Sequence, residues 1–73
     1  MTAQELIARV RQHNPDVRAA RDRKGNAVAL WDEEYGRFVA VAGRLVTGEW
    51  CQMPPFLVNG KPLYSPEDWI EDA

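Results

Sequence analysis

Residues 27–42 read AVALWDEEYGRFVAVA, and this stretch decides the fold. Residues 27–31 carry Val28, Leu30 and Trp31 and read as a strand. Residues 32–36 are polar and end near a glycine, a hairpin connection. In 37–42, Val39 and Val41 alternate with Phe38, Ala40 and Ala42, so both faces are apolar. A strand apolar on both faces belongs inside a sheet.

Upstream, Thr2 and Glu5 have capping-box spacing: the hydroxyl accepts from a helical amide and the carboxylate reaches back. Ala3, Leu6, Ile7 and Val10 then recur at helical spacing, with Arg9, Arg11 and Gln12 largely on the other side. His13-Asn14-Pro15 ends the helix, since the residue before a proline disfavours helical angles. A helix of this length is marginal alone and must dock on the sheet. Residues 17–23 are weakly strand-like. They form either a strand or a basic loop in which Arg18, Arg21 and Arg23 bind an acidic ligand. Residues 23–26 are a turn, with Gly25 and Asn26 tolerating positive φ.

Downstream, Gly43 interrupts the pattern as a bulge or turn. Leu45 and Val46 resume an extended segment, Gly48-Glu49 turns, and residues 50–53 form a further short strand. Pro54-Pro55 pauses the sheet. Asn59-Gly60, between Phe56-Leu57-Val58 and Lys61-Pro62-Leu63-Tyr64, is a strong hairpin signal. Ser65-Pro66-Glu67-Asp68 has the cap, first-turn proline and acids of a helix start, from which Trp69 and Ile70 pack inward. The expected class is therefore α+β. A single domain over residues 1–73 has its N-terminal helix packed on a small antiparallel sheet of three to five strands, with a C-terminal hairpin and a short helical turn.

The 73 residues carry a formal net charge of −2, which disfavours a general nucleic-acid binder. The distribution is uneven. Arg9, Arg11, Arg18, Arg21, Arg23 and Lys24 stand against Glu5, Asp16 and Asp22 in residues 1–26; Arg37, Arg44 and Lys61 stand against eight acids afterwards. Either the two halves attract each other across the fold, or the asymmetry marks a binding face. No run is long and apolar enough for a membrane span, and residues 1–12 lack the apolar core of a signal peptide, so a cytoplasmic protein is expected.

Catalytic chemistry finds little support. Asp32, Glu33 and Glu34 are adjacent in a polar loop and Glu67, Asp68, Glu71 and Asp72 crowd the far end, without the contrasting environments that acid–base catalysis needs. His13 and Cys51 have no metal-site spacing. The single cysteine, Cys51, reads as a small buried strand residue. No catalytic, cofactor or metal residue is assigned, and no enzyme is expected.

The aromatic residues are more informative: three Trp, two Tyr and two Phe in so short a chain. Most belong in the core, but Tyr35 in the acidic loop and Trp50 beside Glu49 are expected to stay exposed, as interface anchors do. The expected function is a small non-enzymatic interaction or regulatory protein, in the manner of phage and mobile-element accessory proteins that bind a host protein. The candidate partner-binding residues are Tyr35, Trp50, Arg18, Arg21 and Arg23, and the candidate surfaces are the open face of the sheet and the loop at 32–37. The partner expected is another protein; a homodimer pairing exposed edges is the second option.

A competing reading starts from Gly48-Glu49, Met53-Pro54-Pro55-Phe56, Asn59-Gly60-Lys61, Leu63-Tyr64, Glu67-Asp68 and Ile70. This set resembles the wing end of excisionase-type winged-helix proteins and covers residues 48–73. The resemblance implies a helix-turn-helix over 33–47, a wing at 54–64, and Lys61 against the DNA backbone.

Overall fold

The computed structural model describes residues 1–52, 57–58, 61–62 and 69–72. Its first element is helix α1 (Ala3–His13). Thr2 Oγ1 accepts from the Glu5 amide at 3.1 Å, and the Glu5 carboxylate accepts from the Thr2 amide at 3.2 Å, which completes the capping box. At the other end Asn14 closes the helix, its N–H donating to the Val10 carbonyl at 3.0 Å.

Strands β1 (Ala19–Arg21), β2 (Ala27–Asp32), β3 (Arg37–Arg44), β4 (Trp50–Gln52), β5 (Leu57–Val58), β6 (Lys61–Pro62) and β7 (Ile70–Asp72) follow. Five of them form one sheet in the order β4-β3-β2-β1-β7, antiparallel at every pairing. The class is α+β, as the sequence pattern implies. β5 and β6 pair separately, Val58 opposite Lys61. The proposed helix start at Ser65–Asp68 lies outside the described residues, as do Met53–Phe56, Asn59-Gly60 and Leu63-Tyr64.

Cross-strand partners share a face, so the register assigns every side chain. Ala19, Leu30 and Val39 align on one face, as do Val28, Ala42 and Gln52. α1 covers this face: Ala3, Ile7, Ala19 and Val28 form the buried cluster, and Leu6, Leu30, Val41, Ala42 and Trp50 pack against it. Val41 joins because a bulge opposite Val28/Ala29 leaves it without a register partner, turning it to the same side as Ala42. The other face has Ala20, Ala29 and Ala40 in line across three strands. All three are buried, so the middle of that face is not the open surface expected.

Several expectations change. β3 runs through Gly43 to Arg44, because Gly43 keeps its place opposite Ala27 and Cys51. Leu45 and Val46 then lie in a turn, not a strand: the Leu45 amide donates to Glu49 O at 2.7 Å and the Gly48 amide to Leu45 O at 2.9 Å. β3 occupies the span where the winged-helix resemblance requires helix-turn-helix, and its residues 37–40, 42 and 43 pair with β2. Residues 17–23 contain a strand, β1, so the basic-loop alternative is set aside. Ile70 belongs to β7 and is exposed rather than packed inward from a helical turn.

Asp22 is the one buried charged residue among the described residues, and it builds the β1–β2 turn. Its Oδ1 accepts from the Asn26 amide at 2.6 Å and the Ala27 amide at 3.2 Å, while Gly25, at φ 73°, donates its N–H to Asp22 O. Removing the carboxylate strands two amides, one of them buried. Asp22→Ala should lower stability by about 1–3 kcal/mol in urea unfolding, and Asp22→Asn, which keeps an oxygen acceptor, by clearly less. Equal losses for both variants would show that charge, not the acceptor, matters.

Candidate functional site

Neighbouring strand residues point to opposite faces, and β7 uses this directly. Asp72 lies on the helix face and Glu71 on the other. Arg11, reaching from α1, donates through Nη1 to the Asp72 carboxylate and through Nη2 to its carbonyl at 2.7 Å; Nε reaches Val17 O at 3.4 Å. Across the sheet, Arg18 forms a two-point pair with Glu71, Nε to Oε2 at 3.1 Å and Nη2 to Oε1 at 2.7 Å. The basic start of the chain thus grips its acidic end from both sides. This resolves the charge asymmetry as attraction across the fold for these four residues.

Arg18 also sits over two aromatic rings. Its guanidinium carbon is 4.2 Å from the Trp31 ring centroid and 5.4 Å from that of Phe38. Trp31 and Phe38, directly opposite in register, meet edge-to-face at 5.1 Å and 79°. A planar cation stacked on a ring and forked onto a carboxylate is fully engaged. Of the three candidate arginines, Arg18 is therefore a structural bracket. Arg21 is half-buried on the helix side of β1, and Arg23 lies in the turn at the far end of the sheet. The three do not converge.

Trp50 is not an exposed anchor. It sits on the helix face, packs against the core cluster and donates its indole N–H to the Met1 carbonyl at 2.8 Å. With Leu6, Val10, Val28, Val41, Ala42 and Gln52 it lines an apolar hollow of about 290 Å³ between α1 and the β3–β4 edge. Cys51, expected to be buried, is exposed. It stands on the other face of edge strand β4, opposite Gly43, which has no side chain to cover it.

Tyr35 does stand out into solvent, at 46% exposure. Its turn is pinned twice: the Tyr35 amide donates to Asp32 Oδ1 at 3.1 Å, and the Gly36 amide to Asp32 O at 2.8 Å. Gly36 takes φ 63° there, an angle that suits glycine. Exposed Glu33 and Glu34 flank the ring. Because β2 and β3 lead into this turn, Tyr35 lies at the same end of the sheet as Trp31, Phe38 and Arg18.

A comparison with family models, curated proteins and solved structures finds no match to this chain. Among the described residues no helix is long and apolar enough to cross a membrane. No group of three or more His, Cys, Asp or Glu side chains there is placed to hold a metal ion.

Sequence reasoning missed Asp22 and Arg11. The signal for Asp22 was present: an acid four residues before Asn26, next to a glycine turn, is a side-chain cap. Arg11 carried none, since Asp72, the carboxylate it holds, lies 61 positions away.

Two carboxyls are held below the usual carboxylate range: Glu71 by its hydrogen bond to Arg18, and Glu5 by hydrogen bonds from Thr2. An acid whose folded pKa is depressed adds stability above its unfolded pKa, and that stability disappears as pH falls through the folded value. The melting temperature should therefore fall on acidification from the ordinary Glu range, near 4.5, downward. Glu71→Gln should flatten this acid limb in thermal scans from neutral to acidic pH. An acid limb as steep as wild type would remove Glu71 as a cause.

Proposed function

We propose that this chain is a small non-enzymatic protein that works by binding another protein through the rim around Tyr35. The reading rests on one observation: a large aromatic ring is held outside the core on a turn fixed by two hydrogen bonds. Rings with few rotatable bonds on a fixed backbone make low-entropy anchors, and interface hot spots are rich in tyrosine. Glu33 and Glu34 beside the ring give the surface its chemistry, so the partner presents basic groups around an apolar patch. The Trp31–Phe38–Arg18 cluster behind the turn supplies rigidity.

Surface electrostatics of this kind act mainly on encounter rate and choice of partner. The ring supplies the affinity. The regulatory role expected from the sequence follows from occupancy of a partner's surface and needs no chemistry from this chain. A soluble location inside the cell accords with such a role.

Tyr35→Ala should weaken partner binding by roughly thirtyfold, the equivalent of ~2 kcal/mol for a hot-spot side chain. Tyr35 lies outside the buried cluster, so the melting temperature should hold. Surface plasmon resonance with the captured partner measures the first and differential scanning calorimetry the second. Binding unchanged by Tyr35→Ala at unchanged melting temperature would refute the assignment.

A further inference from the structure

The two ends of the sheet differ in chemistry. The acidic end carries Tyr35, Glu33 and Glu34. The opposite end carries the β1–β2 and β3–β4 turns, joined by a hydrogen bond from the Arg44 amide to Asn26 O at 2.8 Å. Val46 there is wholly exposed at 108%, Leu45 is 50% exposed, and Met1, whose carbonyl holds Trp50, is also exposed. Lys24, in the first turn, and Arg44, the last residue of β3 before the second, are exposed, with Glu49 as the acid after the second turn. Asn26, Arg44, Leu45, Val46 and Gly48 surround a shallow hollow of about 360 Å³. This valine, at the tip of a turn closed by two backbone hydrogen bonds, has its side chain uncovered. Burying it against another surface removes apolar area from water, a gain set against the entropy of association.

We propose that this rim docks on the Tyr35 rim of a second copy of the chain, head to tail. The inference rests on the reading of the Tyr35 rim as a protein-contact surface, and it names the partner. Charge complementarity selects the occupant. Lys24 and Arg44 would face Glu33 and Glu34, while Leu45 and Val46 would meet the Tyr35 ring. Both halves of the contact are present on every copy and lie at opposite ends of the same sheet, so they cannot meet within one molecule. Such a contact is heterologous: it leaves one free rim of each kind and builds either a closed ring or an open chain.

Sedimentation velocity from about 10 μM to about 1 mM covers the range of weak contacts. The wild-type mass should rise with concentration and fall back on addition of salt, which screens exposed charges. Tyr35→Ala and Val46→Glu each remove one half of the contact, and each should stay monomeric with a wild-type melting temperature. Mixed in equal amounts they should form a 1:1 dimer that grows no further, because each supplies the intact rim the other lacks. Arg44→Glu should behave as Val46→Glu does, should the latter fail to fold. A wild-type chain that stays monomeric, variants that associate as wild type does, or a mixture that stays monomeric would each overturn the proposal. Cosedimentation with phosphatidylserine vesicles, lost in Val46→Glu and without self-association, would overturn it in favour of a lipid surface. If self-association is absent while Tyr35-dependent capture of another protein persists, only the choice of partner falls. If both are absent, the contact role of Tyr35 falls with it.

Discussion

The last described strand is held in the sheet by two arginines, one on each face. β7 contributes Ile70, Glu71 and Asp72, and its Ile70 is exposed, so apolar burial does little for it. Its attachment comes from Arg11 on Asp72 and Arg18 on Glu71, added to the ladder with β1. Much else follows. Arg11 ties α1 to the sheet edge as well as to the segment before β1. Arg18, fixed by Glu71, stays over Trp31 and braces the β2–β3 hairpin near its turn. β1, three residues long and flanked by β2 and β7, has a partner on each side only because β7 is retained. Charge-assisted contacts of the half-buried kind that Arg11 makes contribute on the order of 1–3 kcal/mol, a sizeable share in a chain of this length.

The same bracket explains which parts of the fold are legible in the sequence. Local chemistry was. Thr2 and Glu5 announce the helix start, and the stretch from Ala27 to Ala42 announces two paired strands, because capping and alternation act over a few residues. Gly43 misled because a glycine reads as a break, whereas here it fits between Ala27 and Cys51 within an unbroken ladder. Leu45 and Val46 misled in the opposite sense. Their β-propensity is overridden by the turn that returns the chain to β4, and both side chains end outside the core. Ile70 was read as part of a helix because Pro66, Glu67 and Asp68 look like a helix start. Pairing with β1 is a long-range event without local trace.

The candidate site divides in the same way. Tyr35 was legible, since an aromatic ring among acids in a hairpin loop has little to bury it. Trp50 was not, because its face depends on the register of β4 against β3, and that register places it opposite Arg44 on the helix face. For Arg18, Arg21 and Arg23, spacing alone leaves open whether they converge. The strand between them sends the first to one face, the second to the other and the third into a turn. Of these three, Arg18 braces the fold.

Hydrogen exchange followed by NMR tests the two-sided grip most directly, residue by residue. In Arg11→Ala and Arg18→Ala together, amides of Ile70–Asp72 should exchange roughly tenfold faster or more than in wild type, while those of β2 and β3 keep their protection, as expected for a separate opening of a weakly held unit. Exchange in β7 at the wild-type rate would contradict the account, and so would a uniform loss across the whole sheet.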